Sequence, residues 1–291
     1  MLNQFSPKKL NPRPLPIDRV GWWVLTLLLV VQALFPFVWL LSTALKGAEE
    51  NLFASPPVWL PQAPTLQHLQ KVLTQSNMPT YLMNSLLVAT LTTVMNLMTS
   101  ILIAFPLARW HFKGKYWIKL LVLLSMMVPF QVLMIPLYQL MLHLGLHESN
   151  GYLPLVLGLC LPLSISGFGV LLLTQAMEAF PTALEDAARL DGATLWQQLW
   201  CVILPYLRPT LVTLAMFSFL ASWGEFLWPS ILVSQPQYMT LPLGLLQLQG
   251  QFSADWRLIA ASTVVSLLPS LVFFLLMQRQ LTNPHSDSGI K

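Results

Sequence analysis

Charge is scarce in this chain of 291 residues: only 9% of positions are Asp, Glu, Lys or Arg, where soluble domains carry about 25%. With 55% hydrophobic residues beside it, that deficit excludes an ordinary solvated surface and points to a membrane protein. Cysteine is nearly absent too, and Cys160 and Cys201 provide neither metal-ligand spacing nor a disulfide framework. No G-x-x-x-x-G-K-[ST] phosphate loop occurs. The lone Gly114-Lys115 pair runs into Tyr116 without the upstream glycine, so the chain is not expected to bind ATP. There is no strand alternation, no low-complexity tract, and no cluster of nucleophile, base or metal ligands at one membrane depth, which ranks an intramembrane enzyme last. His143 and His147 lie four apart but lack a third ligand, so no metal site is expected. The formal charge of +4 is spread in small groups between apolar runs rather than along one face, which argues against nucleic acid.

What is abundant is long apolar sequence. Six stretches, approximately 21–45, 81–108, 116–141, 151–177, 207–233 and 258–278, exceed the roughly 20 residues needed to cross a bilayer as helix. An all-α polytopic protein with six transmembrane helices is therefore predicted, a single membrane domain over 21–280 with tails at 1–20 and 281–291. The first stretch follows Lys8, Lys9, Arg13 and Arg19 but is far longer than a signal core, so it reads as an uncleaved helix. Lysine and arginine concentrate in the N-terminal tail, at Arg109, Lys113, Lys115 and Lys119, at Arg189 and Arg208, and at Arg279 and Lys291. Only Lys46, Lys71 and Arg257 fall on the other side. By the positive-inside rule both termini are cytoplasmic.

Several residues inside the spans call for a role. Prolines 36, 106, 129, 136, 162, 229 and 269 each remove a backbone donor and read as kinks, while Pro129 and Pro136, flanking Gln131, also fit a bend lining a pathway. Glu225 is an acidic residue well inside an apolar run, and a buried structural role and a pathway role are equally open to it. Asn84 and Gln131 are weaker pathway candidates, since polar side chains also join helix to helix. Trp22, Trp23, Trp110, Trp117, Trp228 and Trp256 lie near span ends, as an interfacial belt requires.

The connection over 178–206 is too apolar for a disordered loop and reads as helix, turn, helix. Pro181-Thr182 suits a helix start, with Glu185 and Asp186 near its positive end. Asp191-Gly192 supplies a turn, and apolar residues resume at Leu195-Trp196 and run to Leu204-Pro205. A short exposed helix with small Ala187 and Ala188 has a shape that a partner's cleft can grip.

This segment, PTALEDAARLDGATLWQQLWCVILP from Pro181 to Pro205, resembles the EAA loop of ABC importer permeases, in which Glu-Ala-Ala, Asp-Gly-Ala and Leu-Pro recur at this spacing. Asp186 stands where that family usually has glutamate. MMVPFQVLMIPLY (Met126 to Tyr138), FLASWGEFLWP (Phe219 to Pro229) and LPLGLLQLQGQFSADW (Leu241 to Trp256) resemble the carbohydrate-uptake branch, specifically the shorter permease of the maltose-type pair, although Gly224 replaces a common asparagine. The closing Ser288 to Lys291 is only loosely similar to the tail of such permeases. The resemblance implies a bacterial or archaeal inner-membrane subunit that is not itself an enzyme and binds no cofactor. It implies ATP and Mg on a partner ATPase that docks on Glu185, Asp186, Ala187, Ala188, Asp191, Gly192, Ala193 and Pro205. It also implies a second homologous permease, two ATP-binding subunits and an extracytoplasmic solute-binding protein. A loop over Thr240–Trp256 would face that receptor, with Gly244, Gln247, Gln249 and Gly250 exposed to it. The cargo implied is a sugar, oligosaccharide, glycoside or polyol, with glycerol phosphate open. The alternative is a secondary transporter using Glu225 as an ion or proton site, against which stands the lack of an inverted repeat or a second intramembrane charge.

Overall fold

A computed structural model describes residues 19–251 and 255–282. Lys8, Lys9, Arg13, Phe252–Ala254 of the predicted receptor loop and the tail from Asn283 to Lys291 lie outside them. Among the described residues the regular structure is entirely helical. Three helices are long and apolar enough to cross a membrane alone: α1 (Arg19–Leu45), α3 (Met78–Arg109) and α14 (Trp256–Thr282). Short α2 (Gln67–Gln75) links the first two.

The three middle spans are not continuous, and their interruptions are larger than the kinks expected from their prolines. The third divides into α4 (Lys115–Ser125) and α5 (Phe130–His143), bent by 100°. The fourth divides into α6 (Tyr152–Cys160) and α7 (Gly167–Glu178), bent by 57°. After α8 (Thr182–Leu190), α9 (Leu195–Gln197) passes through a π-helical stretch (Gln198–Ile203) into α10 (Leu204–Tyr206). That arm turns by 79° into α11 (Arg208–Trp223), which is itself interrupted before α12 (Leu227–Leu232). Helix α13 (Leu241–Gln251) then replaces most of the loop expected before the last span.

Proline chemistry accounts for two of these breaks. Pro129 adopts an extended conformation (φ −61°, ψ 130°) immediately before α5 and, having no N–H, cannot resume the ladder of α4, whose end tightens as Met126, Met127 and Val128 donate to carbonyls three residues back. Pro162 sits in a one-turn 3₁₀ helix after α6. It lacks the N–H that would satisfy the carbonyl of Gly158 four residues back, and the indole Nε1 of Trp228 donates to that carbonyl instead, at 3.1 Å. Trp228 is completely buried and so is a core residue rather than a member of the interfacial belt. Trp22, Trp23, Trp110, Trp117 and Trp256 are exposed, as a belt requires. Pro36, Pro106, Pro136 and Pro269 are carried inside their helices.

Three apolar clusters hold the bundle. One joins α2, α3, α13 and α14 at what we call the upper end, through Val72, Tyr81, Leu241 and Ala261. A second joins α3, α7 and the π stretch at the lower end, through Phe105, Leu173, Phe180, Leu199 and Ile203. A third packs α5, α6 and α12 around Trp228. Helix α1 leans on α14 and α2 and exposes most of its apolar surface, which a bilayer or another membrane chain would cover.

The connection after α1 is held at the upper end. Lys46 is buried, donates to the carbonyl of Val58 at 2.6 Å and lies 5.0 Å from the Trp39 ring. Glu50 accepts from the backbone amides of Ala63, Gln62 and Gly47 at 3.0–3.1 Å. Chiefly the Ala63 bond, aided by the other two amides and the charge of Lys46, holds its carboxyl below the usual range against a smaller opposing effect of desolvation. A depressed carboxylate stabilises the folded form above its unfolded value and ceases to do so as pH falls through its folded value. Protection of the Gln62 and Ala63 amides against hydrogen exchange, relative to the free peptide at the same pH, is therefore expected to be high at neutral pH and to fall as pH drops below the ordinary glutamate range. In Glu50→Gln the protection should be reduced at neutral pH already; equal protection in the two proteins would refute the assignment.

Candidate functional site

Two features stand out, one at mid-bundle and one at the lower end. The broken spans converge on a cavity of about 510 Å³. Phe130 follows the break before α5, Pro162, Leu163, Ile165 and Ser166 form the break between α6 and α7, and Ser222 and Glu225 flank the end of α11. Thr92 and Asn96 of unbroken α3 close the remaining side, with Phe168, Phe217 and Ser218. Irregular backbone inside a membrane is tolerated where protein buries it or where it lines a cavity, and the breaks here border this one. Asn96 donates to the carbonyl of Leu163 at 3.5 Å, and Thr99 donates to that of Ser164 at 2.6 Å, so α3 satisfies groups freed by the break. The hydroxyl of Ser166 accepts from the amide of Gly169 at 3.2 Å and starts α7. Ser222 Oγ is buried without a partner.

Of the three predicted pathway residues, one lines this cavity. Glu225 does, and it also accepts from the amide of Trp228 in the first turn of α12 at 3.1 Å, a structural contact made by a side chain that borders the cavity. Among the described residues that line the cavity it is the only charged one. Asn84 lies elsewhere, buried near the upper end. Its amide donates to the carbonyls of Gln237 and Met239 at 3.1 and 2.9 Å, and its Oδ1 accepts from Tyr152 at 2.7 Å. Gln131 is exposed on α5. The sequence reading missed Asn96 and Ser222, which have no motif and are marked only by polarity within apolar helices.

The four predicted receptor-facing residues divide in the same way. Gly244 is buried against Tyr81, where an added Cβ would come within 2.2 Å of the ring. Gln247 accepts from the Tyr81 hydroxyl at 2.8 Å. Gln249 and Gly250 are exposed on helix α13.

At the lower end, α8 ends in a Schellman motif, with Gly192 N donating to Arg189 O at 3.1 Å and Ala193 N to Ala188 O at 3.0 Å. Gly192 has φ +84°, which explains glycine at this position. Thr194 and Gln197 then form a capping box that starts α9, a signal present in the sequence but not recognised there. Asp186, Ala187, Asp191, Gly192 and Pro205 are exposed, and Ala188 and Ala193 are half-buried. Around them Leu190, Leu195 and Trp196 also face out, Leu190 with 88% of its surface free. Glu185 points the other way. It is the buried residue of α8 and forms a bidentate ion pair with Arg109 at the end of α3, Nε lying 2.7 and 2.9 Å from its two oxygens. Nearby, Lys119 of α4 meets Glu178 of α7 at 2.5 Å.

A family profile described as binding-protein-dependent transport system inner membrane component matches residues 96–282. The chain is 32% identical over 266 residues to the sulfoquinovosyl glycerol transport system permease protein SmoH of Agrobacterium fabrum, covering 91% of each chain. It is 29% identical over 274 residues to the arabinooligosaccharides transport system permease protein AraQ of Halalkalibacterium halodurans, covering 92% of this chain and 96% of that one. Its fold matches a chain in the crystal structure of a bacterial ABC transporter involved in the import of the acidic polysaccharide alginate, with a TM-score of 0.77 at 21% identity over 92% of this chain and 99% of the other.

Proposed function

The chain belongs to the family of binding-protein-dependent transport system inner membrane components, as a multi-pass permease subunit of an ABC importer in the bacterial plasma membrane, and from that membership we propose how it works and what it carries. It forms half of a pathway for a sugar, oligosaccharide, glycoside or polyol, the other half coming from a longer homologous permease. The names of its relatives support a saccharide cargo. So does the cavity, whose amide and hydroxyl groups are interleaved with Phe130, Phe168 and Phe217, a lining that suits rings bearing hydroxyls.

Two ATP-binding subunits would sit at the lower end, which is then cytoplasmic, and bind ATP and Mg there. The observation that carries this reading is the exposed turn at Asp191-Gly192, held rigid by the Schellman motif before it and the capping box after it, and bordered by Leu190 and Trp196. Such a knob gives a partner's cleft a preformed shape, so little entropy is lost on docking. A solute-binding protein would deliver cargo to the upper end near Gln249 and Gly250. ATP-driven closure below then swings the broken spans about the cavity, exposing it alternately to each side.

The test is co-expression of the chain with the companion permease, ATPase and receptor, followed by uptake in liposomes. Leu190→Asp should weaken retention of the ATPase by about tenfold or more, because a carboxylate would enter an apolar contact. Full retention of the ATPase would remove the docking assignment. The rival ion-driven carrier predicts gradient-driven uptake by this chain alone, abolished in Glu225→Gln; observing that would replace the proposal.

A further inference from the structure

We propose that α3 is a strut that ties the coupling helix α8 to the receptor-facing helix α13, and that Arg109 is the positioning residue at its lower joint. This rests on the docking roles proposed above for α8 and α13. Among the elements that surround the cavity, α3 alone crosses the bundle unbroken, with 32 residues that span about 48 Å at 1.5 Å per residue. The others are interrupted at the cavity and can change angle there.

Both ends of α3 are fastened by directional contacts. Below, the Arg109 guanidinium grips both oxygens of Glu185, with only 16% and 8% of the two side chains exposed. Phe180, just before α8, lies 6.0 Å from the same guanidinium and packs in the lower cluster with Phe105 and Ile203. Separating a largely buried bidentate pair would strand two desolvated charges, so α8 and the end of α3 resist moving independently. Above, Tyr81 donates to Gln247 of α13, the amide of Leu241 donates to Ser85 at 2.6 Å, and Gly244 admits the Tyr81 ring against the backbone of α13. Asn84 holds the two carbonyls that lead into α13. Between these joints α3 contributes Thr92 and Asn96 to the cavity wall. A displacement of α8 is thus carried to α13 and to the cavity by one rigid element, and receptor contact at α13 travels back along it.

The experiment uses the assembled complex in lipid nanodiscs, measuring ATP hydrolysis with and without receptor. In Arg109→Glu, assembly and basal hydrolysis should persist while the receptor-stimulated increment falls by about tenfold, an ordinary size for a coupling between sites. The exchange Arg109→Glu with Glu185→Arg should restore most of that increment. Arg109→Lys, which keeps the charge but not the fork, should recover only part. Unaltered stimulation in Arg109→Glu overturns the proposal, as does parallel loss of basal and stimulated rates when the complex is intact. Should Arg109→Glu fail to assemble, Tyr81→Phe tests the upper joint: a reduced increment at unchanged basal rate supports the strut, and a full increment overturns it. A wild-type complex showing no stimulation at all would instead count against the proposed function.

Discussion

Gly192→Pro is expected to abolish receptor-stimulated ATP hydrolysis and uptake while leaving the membrane bundle folded. Proline holds φ near −65°, and Gly192 sits at +84°, so the substituted residue cannot occupy the native turn at all. The change also deletes the N–H that donates to Arg189, which closes the Schellman motif at 3.1 Å. An ordinary residue pays about 1–2 kcal/mol to enter the left-handed region and a lost hydrogen bond costs about 1 kcal/mol, together roughly a hundredfold in population, and for proline, whose ring excludes that region, this is a lower bound. Because an added Cβ at Gly192 meets no neighbour within 4 Å, the damage is conformational rather than steric. Gly192→Asn, which tolerates positive φ, should therefore retain most coupling. Hydrolysis and uptake in the reconstituted complex measure both variants, and undiminished coupling in Gly192→Pro would show that the turn does not transmit the work of the ATPase.

Trp228→Ala is expected to cause the largest loss of stability of any single tryptophan replacement discussed for this chain. The side chain has no exposed surface, meets Phe130 edge-on at 6.1 Å and bonds Gly158 O, the carbonyl that Pro162 leaves unpaired. Emptying such a site costs about 3–5 kcal/mol, and the orphaned carbonyl adds about 1–3 kcal/mol. Thermal unfolding of the purified chain in detergent should show a large fall in midpoint, accompanied by loss of the bend between α6 and α7. Trp228→Phe should fall between, since it keeps much of the volume but not the donor. Trp23→Ala, on an exposed position of α1, is the control and should change the midpoint little. Similar effects at Trp23 and Trp228 would return Trp228 to the interfacial belt.

Much of the fold was legible because membrane insertion imposes a one-dimensional rule. A run of about 20 apolar residues must cross as helix, since hydrocarbon offers no partner for a free N–H or C=O. The ends of α1, α3 and α14 accordingly fall within three or four residues of the predicted spans. The turn at Asp191-Gly192 was equally local, because glycine's access to positive φ and the N-terminal placement of Glu185 and Asp186 act within one helix. Pro129 was singled out in the sequence, but together with Pro136, which α5 absorbs, and the break at Pro162 was not distinguished from the prolines that α1, α3 and α14 absorb.

What separates those cases is the partner that rescues the freed backbone, and such partners are remote in sequence. Trp228 lies 70 residues from Gly158, and its indole decides that the chain bends there. Arg109 lies 76 residues from Glu185, and its guanidinium turns the first acidic residue of α8 inward, away from the surface its neighbours share. Asn96 and Ser222 become cavity residues only because three interrupted spans face the same stretch of α3. By itself, then, the sequence determined that the chain spans a membrane, where most of it crosses, and that a rigid turn stands between the fourth and fifth crossings. Only the tertiary structure decided which prolines break a span, where the cavity lies and which charged groups of the proposed docking segment hold it in place. Apolar length and backbone dihedrals are properties of neighbouring residues, whereas hydrogen-bond satisfaction and the pairing of buried charge depend on groups that meet only when the bundle is packed.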